Sequence, residues 1–218
     1  MDEVFIHILP GFTAWKLHTP KQYLLFLLLA ATGIFVFRFI IKRMKSSRTP
    51  EKAAERVRKM LWKSSGKQVY FFTAKEGMPS YGDLIAVLPT GILLLKIYHK
   101  GYRIHGHLNE STWRISDNAS SEIVPNPLRE LEPAAEELKR ALDRAGCPSF
   151  PIHFKAVFAD NYAEPTFYTE EEVLPFVTTT AELEKETRKE MKKQAEKQIF
   201  TSVKRACRDV LIPDDRIP

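Results

Sequence analysis

Cysteine is nearly absent from this chain. Only two of its 218 residues are cysteines, Cys147 and Cys207, and they stand far apart with no metal-ligand spacing. That excludes a disulfide framework and fits a reducing compartment. No motif that reads base edges is present either, so nothing in the residues selects DNA over RNA. An acidic excess is also missing. The net charge is +6 and the pI near 9.2, a balance that suits phosphate backbones or anionic lipid. Much of that excess flanks an apolar segment or lies near the C-terminus. With 44% aliphatic and aromatic residues, the chain has material for one sizeable core plus attachments.

The apolar segment comes first. Tyr23 to Phe37 carries no charge, Arg38 interrupts, and Phe39-Ile40-Ile41 completes the run. A helix needs about 20 apolar residues to cross a bilayer, and residues 23–41 nearly supply them. Arg38 is close enough to the end for its stem to lie in hydrocarbon and its head in water. A cleaved signal peptide would need a small-residue cleavage site, and the run ends instead in Lys42-Arg43-Met44-Lys45. Arg38, Lys42, Arg43, Lys45 and Arg48 outnumber Lys16 and Lys21. A single-pass anchor in the cell membrane is therefore expected, with a cytoplasmic domain after it. Residues 1–22 read as a short extracytoplasmic interfacial piece, broken by Pro10 and Gly11, with Trp15 at headgroup level. His7 and His18 there read as interfacial polar residues. Residues 42–50 read as a basic juxtamembrane linker.

Beyond the linker the chain is organised around Gly82 to Gly106. Asp83 to Leu88 and Ile92 to Tyr98 are strand-length apolar runs joined by Pro89-Thr90-Gly91, which is turn chemistry. Pairing Leu88 with Gly91 sets Asp83 nearly opposite Lys96. Runs such as Ile85-Ala86-Val87-Leu88 and Ile92 to Leu95 predict a hairpin buried on both faces. A buried carboxylate and ammonium need partners, so these two charges single themselves out.

These residues carry a resemblance. Asp83 opening a strand, Gly91 ending the turn, the apolar Ile92-Leu93-Leu94-Leu95, then Gly101, Gly106, Trp113 and Asn126-Pro127 resemble, in order and spacing, the NERD (nuclease-related) domain. That family is a branch of the PD-(D/E)xK nuclease superfamily, and the resemblance spans roughly Glu51 to Thr180. It implies an α/β, restriction-endonuclease-like fold in which acidic side chains bind Mg²⁺. The family's strand carries Glu-x-Lys; here Lys96 stands at the Glu position and Tyr98 at the Lys position. Where the family has a Gln near the start of the following helix, Glu130 stands. Glu55 falls where the family has a helical Glu that can assist the metal, though an exposed glutamate among basic neighbours is the better explanation.

The remaining elements read as follows. Thr49-Pro50-Glu51 opens a helix to about Trp62. Lys67 to Phe72 is a strand, and Tyr102 to His107 continues the sheet. His99, His105 and His107 cluster, and His105 and His107 alternate on one strand face, but the region adds no third ligand to that pair with convincing zinc spacing. Trp113 to Ile115 is a short strand, and Asp117 to Pro125 a polar loop. Asn126-Pro127 begins a helix stopped by Gly146, with Pro133 expected to kink it or delay its start. Phe150 to Phe158 is a strand that joins parallel, with that helix as crossover. Phe167-Tyr168 and Leu174 to Thr178 are weaker strands. Ala181 to Val210, without Gly or Pro, reads as one basic helix. Its thin apolar stripe (Leu183, Met191, Ala195, Ile199, Val203, Cys207) suits the domain edge or a second copy. Ile212 onward reads as a free tail. The expected divisions are therefore 1–22, 23–41, 42–50, a NERD-like domain at 51–180, and a C-terminal helix and tail at 181–218. The fold class is α/β, a mixed central sheet with flanking helices.

The chemistry follows from the resemblance. An ammonium where a ligand carboxylate belongs repels Mg²⁺, so the expectation is a catalytically silent domain. Asp83 and Lys96 would pair where metal would sit, Glu55 and Glu130 would mark vestigial positions, and no cofactor would bind. Such a domain would serve as a binding or interaction module, with nucleic acid as one partner. The alternative is an active Mg²⁺-dependent endonuclease with relocated carboxylates, its ligands drawn from Asp83, Glu55 and Glu130.

Overall fold

The structure is a computed structural model that describes residues 20–47, 49–76, 80–117, 120–147, 149–159, 164–192 and 197–214. The interfacial piece expected around Trp15 lies outside them, as do His7 and His18. The chain divides into two units, Met1–Ser47 and Arg48–Pro218.

In the first unit, α1 runs from Pro20 to Ser47, so most of the expected linker at 42–50 is helical. Most of its described apolar side chains are outward: Leu24 is 69% exposed and Phe35 73%. Among the described residues, no helix is long and apolar enough to cross a membrane. Tyr23, Leu25, Ile40 and Ile41 belong to the apolar run of the sequence, but their side chains are outside the described set. The expected span over 23–41 is therefore no part of the established fold.

The second unit begins with α2 (Pro50–Ser64), whose Thr49 cap accepts from the Lys52 N–H and whose first position is Pro50. The strands β1 (Tyr70–Thr73), β2 (Leu84–Leu88) and β3 (Gly91–Tyr98) follow. Leu88 pairs with Gly91 across the turn, as the turn chemistry predicts. Then come β4 (Arg103–His105), β5 (Thr112–Ser116), β6 (Ser121–Pro125), α3 (Pro127–Arg144) and β7 (Ile152–Phe158). β7 lies parallel to β3, with α3 in the crossover. The chain continues through β8 (Thr166–Tyr168), a 3₁₀ turn at Leu174–Phe176, β9 (Val177–Thr179), α4 (Thr180–Glu190), α5 (Lys197–Val210) and β10 (Ile212–Pro213).

Among the described residues these strands make two sheets, ordered β10-β1-β2-β3-β7-β9 and β6-β5-β4-β8. The larger sheet is the centre of the fold. Ile85, Val87, Ile92 and Leu94 project to one face, where Leu131, Leu138 and Leu142 of α3 and Val203 and Cys207 of α5 cover them. Leu84, Ala86, Leu93 and Leu95 project to the other, against Val57 and Leu61 of α2 and Leu183 of α4. Both faces of β2 are thus buried, which is why its run is continuously apolar rather than alternating. The smaller sheet packs through Ile104, Trp113 and Ile115 onto Leu128, Phe158 and Val177.

Several expectations need correction. The stretch around Ile104 does not extend the central sheet; it seeds the second one. The 117–125 stretch is not all loop, because Ser121–Pro125 pairs with β5. That strand is mostly exposed, so it carries no alternating pattern to read. Pro133 does not delay α3, which runs from Pro127 through it. The helix expected over 181–210 is two helices on opposite faces of the sheet. Nothing in its helix-favouring residues announces that break, since covering two faces is a demand of packing and not of local propensity. The stripe offered to a second copy is in part occupied at home, with Leu183 in one core and Val203 and Cys207 in the other. The tail is not free either. Ile212 and Pro213 pair with Thr73 and Phe72, the Asp214 N–H donates to the Phe71 carbonyl at 2.9 Å, and the Asp214 carboxylate forms a buried ion pair with Arg58.

Both cysteines are free thiols. Burial, and then Cys147 nearby, pushes the Cys207 thiol up to about 12. It should therefore stay protonated and silent to a thiol reagent at pH 8 in the folded protein, because the thiolate is the reactive form. Two thiols are expected to titrate in denaturant and at most the half-buried Cys147 before it; rapid native labelling of Cys207, located by peptide mass, would contradict this.

Candidate functional site

The site is built at the open end of the central hairpin. Gly82 has φ +90°, and a Cβ there would lie 2.6 Å from the Leu95 carbonyl oxygen. Only glycine lets the chain pass this close to β3. The approach aligns the Asp83 N–H to donate to Leu95 at 2.7 Å. The Asp83 carboxylate then accepts from the Ile97 N–H at 2.7 Å through Oδ2. Its other oxygen, Oδ1, lies 3.8 Å from the Lys96 ammonium. The predicted juxtaposition of Asp83 and Lys96 follows from the hairpin register, since Leu84 pairs with Leu95.

Glu130 completes the group. Asn126 caps α3 by accepting from the Leu128 N–H at 2.9 Å, and Glu130 falls in the first turn. Its Oε2 lies 3.2 Å from the Lys96 Nζ, closer than Asp83. One ammonium thus stands between two carboxylates. Tyr98, two residues along the same strand face, stacks on Phe158 at 5.0 Å and 14°. Burial, helped by the charges of Glu130 and Asp83, pushes its phenol well above the usual range, so it stays protonated.

The charges are not buried as the hairpin pattern predicts. The Lys96, Asp83 and Glu130 side chains are 30%, 40% and 44% exposed. Water at the end of the hairpin solvates them, and pairs of this kind contribute at most about 1 kcal/mol each. Glu55 is not brought to the group. It sits on α2, which covers the opposite face of the sheet, and its carboxylate pairs with Lys59 on its own helix. The Lys59 hydrogen bond and charge hold it below the usual carboxylate range.

The histidines do not converge either. The His105 ring stacks on Tyr168 at 4.5 Å, and His107 Nδ1 lies 3.1 Å from Glu170. Among the described residues no group of three or more His, Cys, Asp or Glu side chains is placed to hold a metal ion. At the Asp83–Glu130 pair, the residues present do not fit a divalent cation. One Asp83 oxygen is taken by a backbone N–H, and the ammonium stands where the two carboxylates face each other.

The comparisons bear on this geometry directly. The model of the nuclease-related domain, NERD, matches residues 48–159, just over half of the chain. The chain belongs to the NERD family. No curated protein and no solved structure matches it. The matched part of this NERD domain takes in α2, β1 to β7 and α3, while β8, β9, α4, α5 and β10 complete the same compact unit beyond it.

Within the NERD match, the Gly106, Trp113 and Asn126-Pro127 signals are scaffold. A Cβ on Gly106 would lie 2.3 Å from the Trp113 ring. The Trp113 indole N–H donates to the His107 carbonyl at 3.1 Å. Buried Asn126 donates from Nδ2 to the carbonyls of Leu108 at 3.1 Å and Glu110 at 2.8 Å. Asn126 therefore ties the 107–111 loop to the start of α3 and so places Glu130. Asn126→Ala removes both the cap and these bonds, and it should cost about 2–4 kcal/mol of stability. A denaturant midpoint unchanged from wild type would refute that role.

Proposed function

We propose that this NERD domain is catalytically inactive and works as a binding module for nucleic acid. The reading rests on one observation: the Lys96 ammonium lies 3.2 Å from Glu130 and 3.8 Å from Asp83, in the place a catalytic cation would need. In a metal-dependent nuclease the ion supplies an activated water and stabilises charge on the phosphate. Lys96 supplies a fixed positive charge instead, with no open coordination position and no water of lowered pKa. A retained fold in a chain of net charge +6, with no cutting centre, is suited to holding a strand. The relocated-carboxylate nuclease draws on Asp83, Glu55 and Glu130, and this fold carries Glu55 on the far side of the sheet.

The same reading places the domain at a membrane. Residues 23–41 are the anchor by their length and apolarity in the sequence, and the basic flank that follows keeps the domain cytoplasmic. Outward apolar side chains such as Phe35 and Phe37, 73% and 65% exposed, support an apolar surrounding for this helix. Release of the full chain from membranes by alkaline carbonate would overturn the anchor.

The test of inactivity is incubation of the full chain, in neutral detergent, with plasmid, single-stranded DNA and RNA plus Mg²⁺ or Mn²⁺. Intact substrate is the expected result. Cleavage that Asp83→Ala abolishes would overturn the proposal in favour of an active nuclease.

A further inference from the structure

The outer face of the four-stranded sheet takes no part in the site above. Cross-strand register lines up Ile123, Arg114, His105 and Tyr168 in one row across β6, β5, β4 and β8. All four are exposed, while the alternating Ile104, Trp113 and Ile115 are buried beneath. This is an amphipathic sheet whose solvent side is aromatic and cationic. The His105 and Tyr168 rings stack at 4.5 Å and 4° from parallel, and Tyr168 remains 50% exposed. Arg103 stands in the next row, over the Tyr102 ring at 5.7 Å. Among the described residues neither Arg103 nor Arg114 is held by an ion pair. The rim carboxylates, by contrast, are engaged. Glu110 accepts from the His107 N–H at 3.2 Å, and Glu170 from the Leu108 N–H at 3.3 Å. A cavity of about 460 Å³ opens beside Tyr168, His105 and Arg114.

We propose that this face binds single-stranded nucleic acid, with a base continuing the Tyr168–His105 stack and Arg114 and Arg103 meeting phosphates. The proposal rests on the nucleic-acid part of the reading above and names the surface for it; it does not depend on whether the Asp83 site cuts. An unpaired base needs a π-face with a cation beside it, and a strand's backbone needs charges that are not already neutralised. Both stand in one row here. An acidic protein or a lipid headgroup would match the arginines but would leave the stacked rings without a purpose. A duplex hides its base faces and can use only the arginines.

The test is fluorescence anisotropy of the full chain, in neutral detergent, with labelled single-stranded DNA and RNA about 12 nucleotides long and a duplex of equal length. Single strands are expected to bind more tightly than the duplex. Tyr168→Ala should weaken binding about tenfold, Tyr168→Phe should restore most of it, and Arg114→Ala should lower the salt slope by about one. Duplex binding as tight as single-strand binding would overturn the stacking surface. If strands bind but neither Tyr168→Ala nor Arg114→Ala changes the affinity, this face is wrong and the nucleic-acid reading stands. If no strand binds, both fall together.

Discussion

Lys96→Glu is expected to bind Mn²⁺ at least a hundredfold more tightly than the wild type. The substitution replaces a positive charge by a negative one between Asp83 and Glu130, which already face that point at 3.8 and 3.2 Å. At about 4 Å and an effective dielectric near 20, each unit of that swing is worth several kcal/mol against a dication. The group is 30–44% exposed, so water screens much of this, and a hundredfold change corresponds to about 3 kcal/mol. Lys96→Gln removes only the repulsion and should fall between. Calorimetric titration with Mn²⁺ on all three proteins decides the matter. Wild-type protein that binds Mn²⁺ as tightly as the Lys96→Glu variant would show that the ammonium does not hold the cation's place. The fold should survive the change, because the ion pairs lost are half-exposed and contribute little.

The largest effect on stability should come from the Arg58–Asp214 pair. Arg58 and Asp214 form an ion pair with side chains only 8% and 5% exposed, joining α2 to the residue that follows β10. Asp214→Asn takes a carboxylate away from a buried guanidinium, a loss of about 3–5 kcal/mol. For a domain of this size that is about 6–20 °C in Tm. Pairing Arg58→Met with Asp214→Leu should recover much of the loss, since apolar replacement of a whole buried pair is often neutral. A chain ended after Leu211 loses the pair and the strand together and should be at least as unstable as Asp214→Asn. A melting temperature for Asp214→Asn within about 2 °C of wild type would show that the terminus is only loosely attached.

The parts of this site legible in the sequence are those fixed by neighbours along the chain. Pro89-Thr90-Gly91 sets the turn, the turn sets Leu88 against Gly91, and five pairs later Asp83 meets Lys96. Asn126-Pro127 and Gly146 mark where α3 starts and stops with the same economy. The exposure of Lys96 was not legible, because it depends on how much of the hairpin's end the α3 crossover leaves uncovered. The distance of Glu55 was hidden for a related reason. A helical pattern says that α2 has a buried face, but not which side of the sheet receives it.

By itself the sequence determined the hairpin, its register, the parallel return of β7 through α3, and the placing of Lys96 across from Asp83. These are local matters of turn geometry, capping and side-chain alternation. Tertiary structure alone decided that Glu130 completes the ammonium's partners, that the C-terminal helices divide between two faces, that a second sheet carries the aromatic row, and that Asp214 reaches Arg58 across 156 residues. Each of those rests on burying apolar surface on both sides of one sheet, a constraint that acts between distant residues and leaves no periodic trace in either partner.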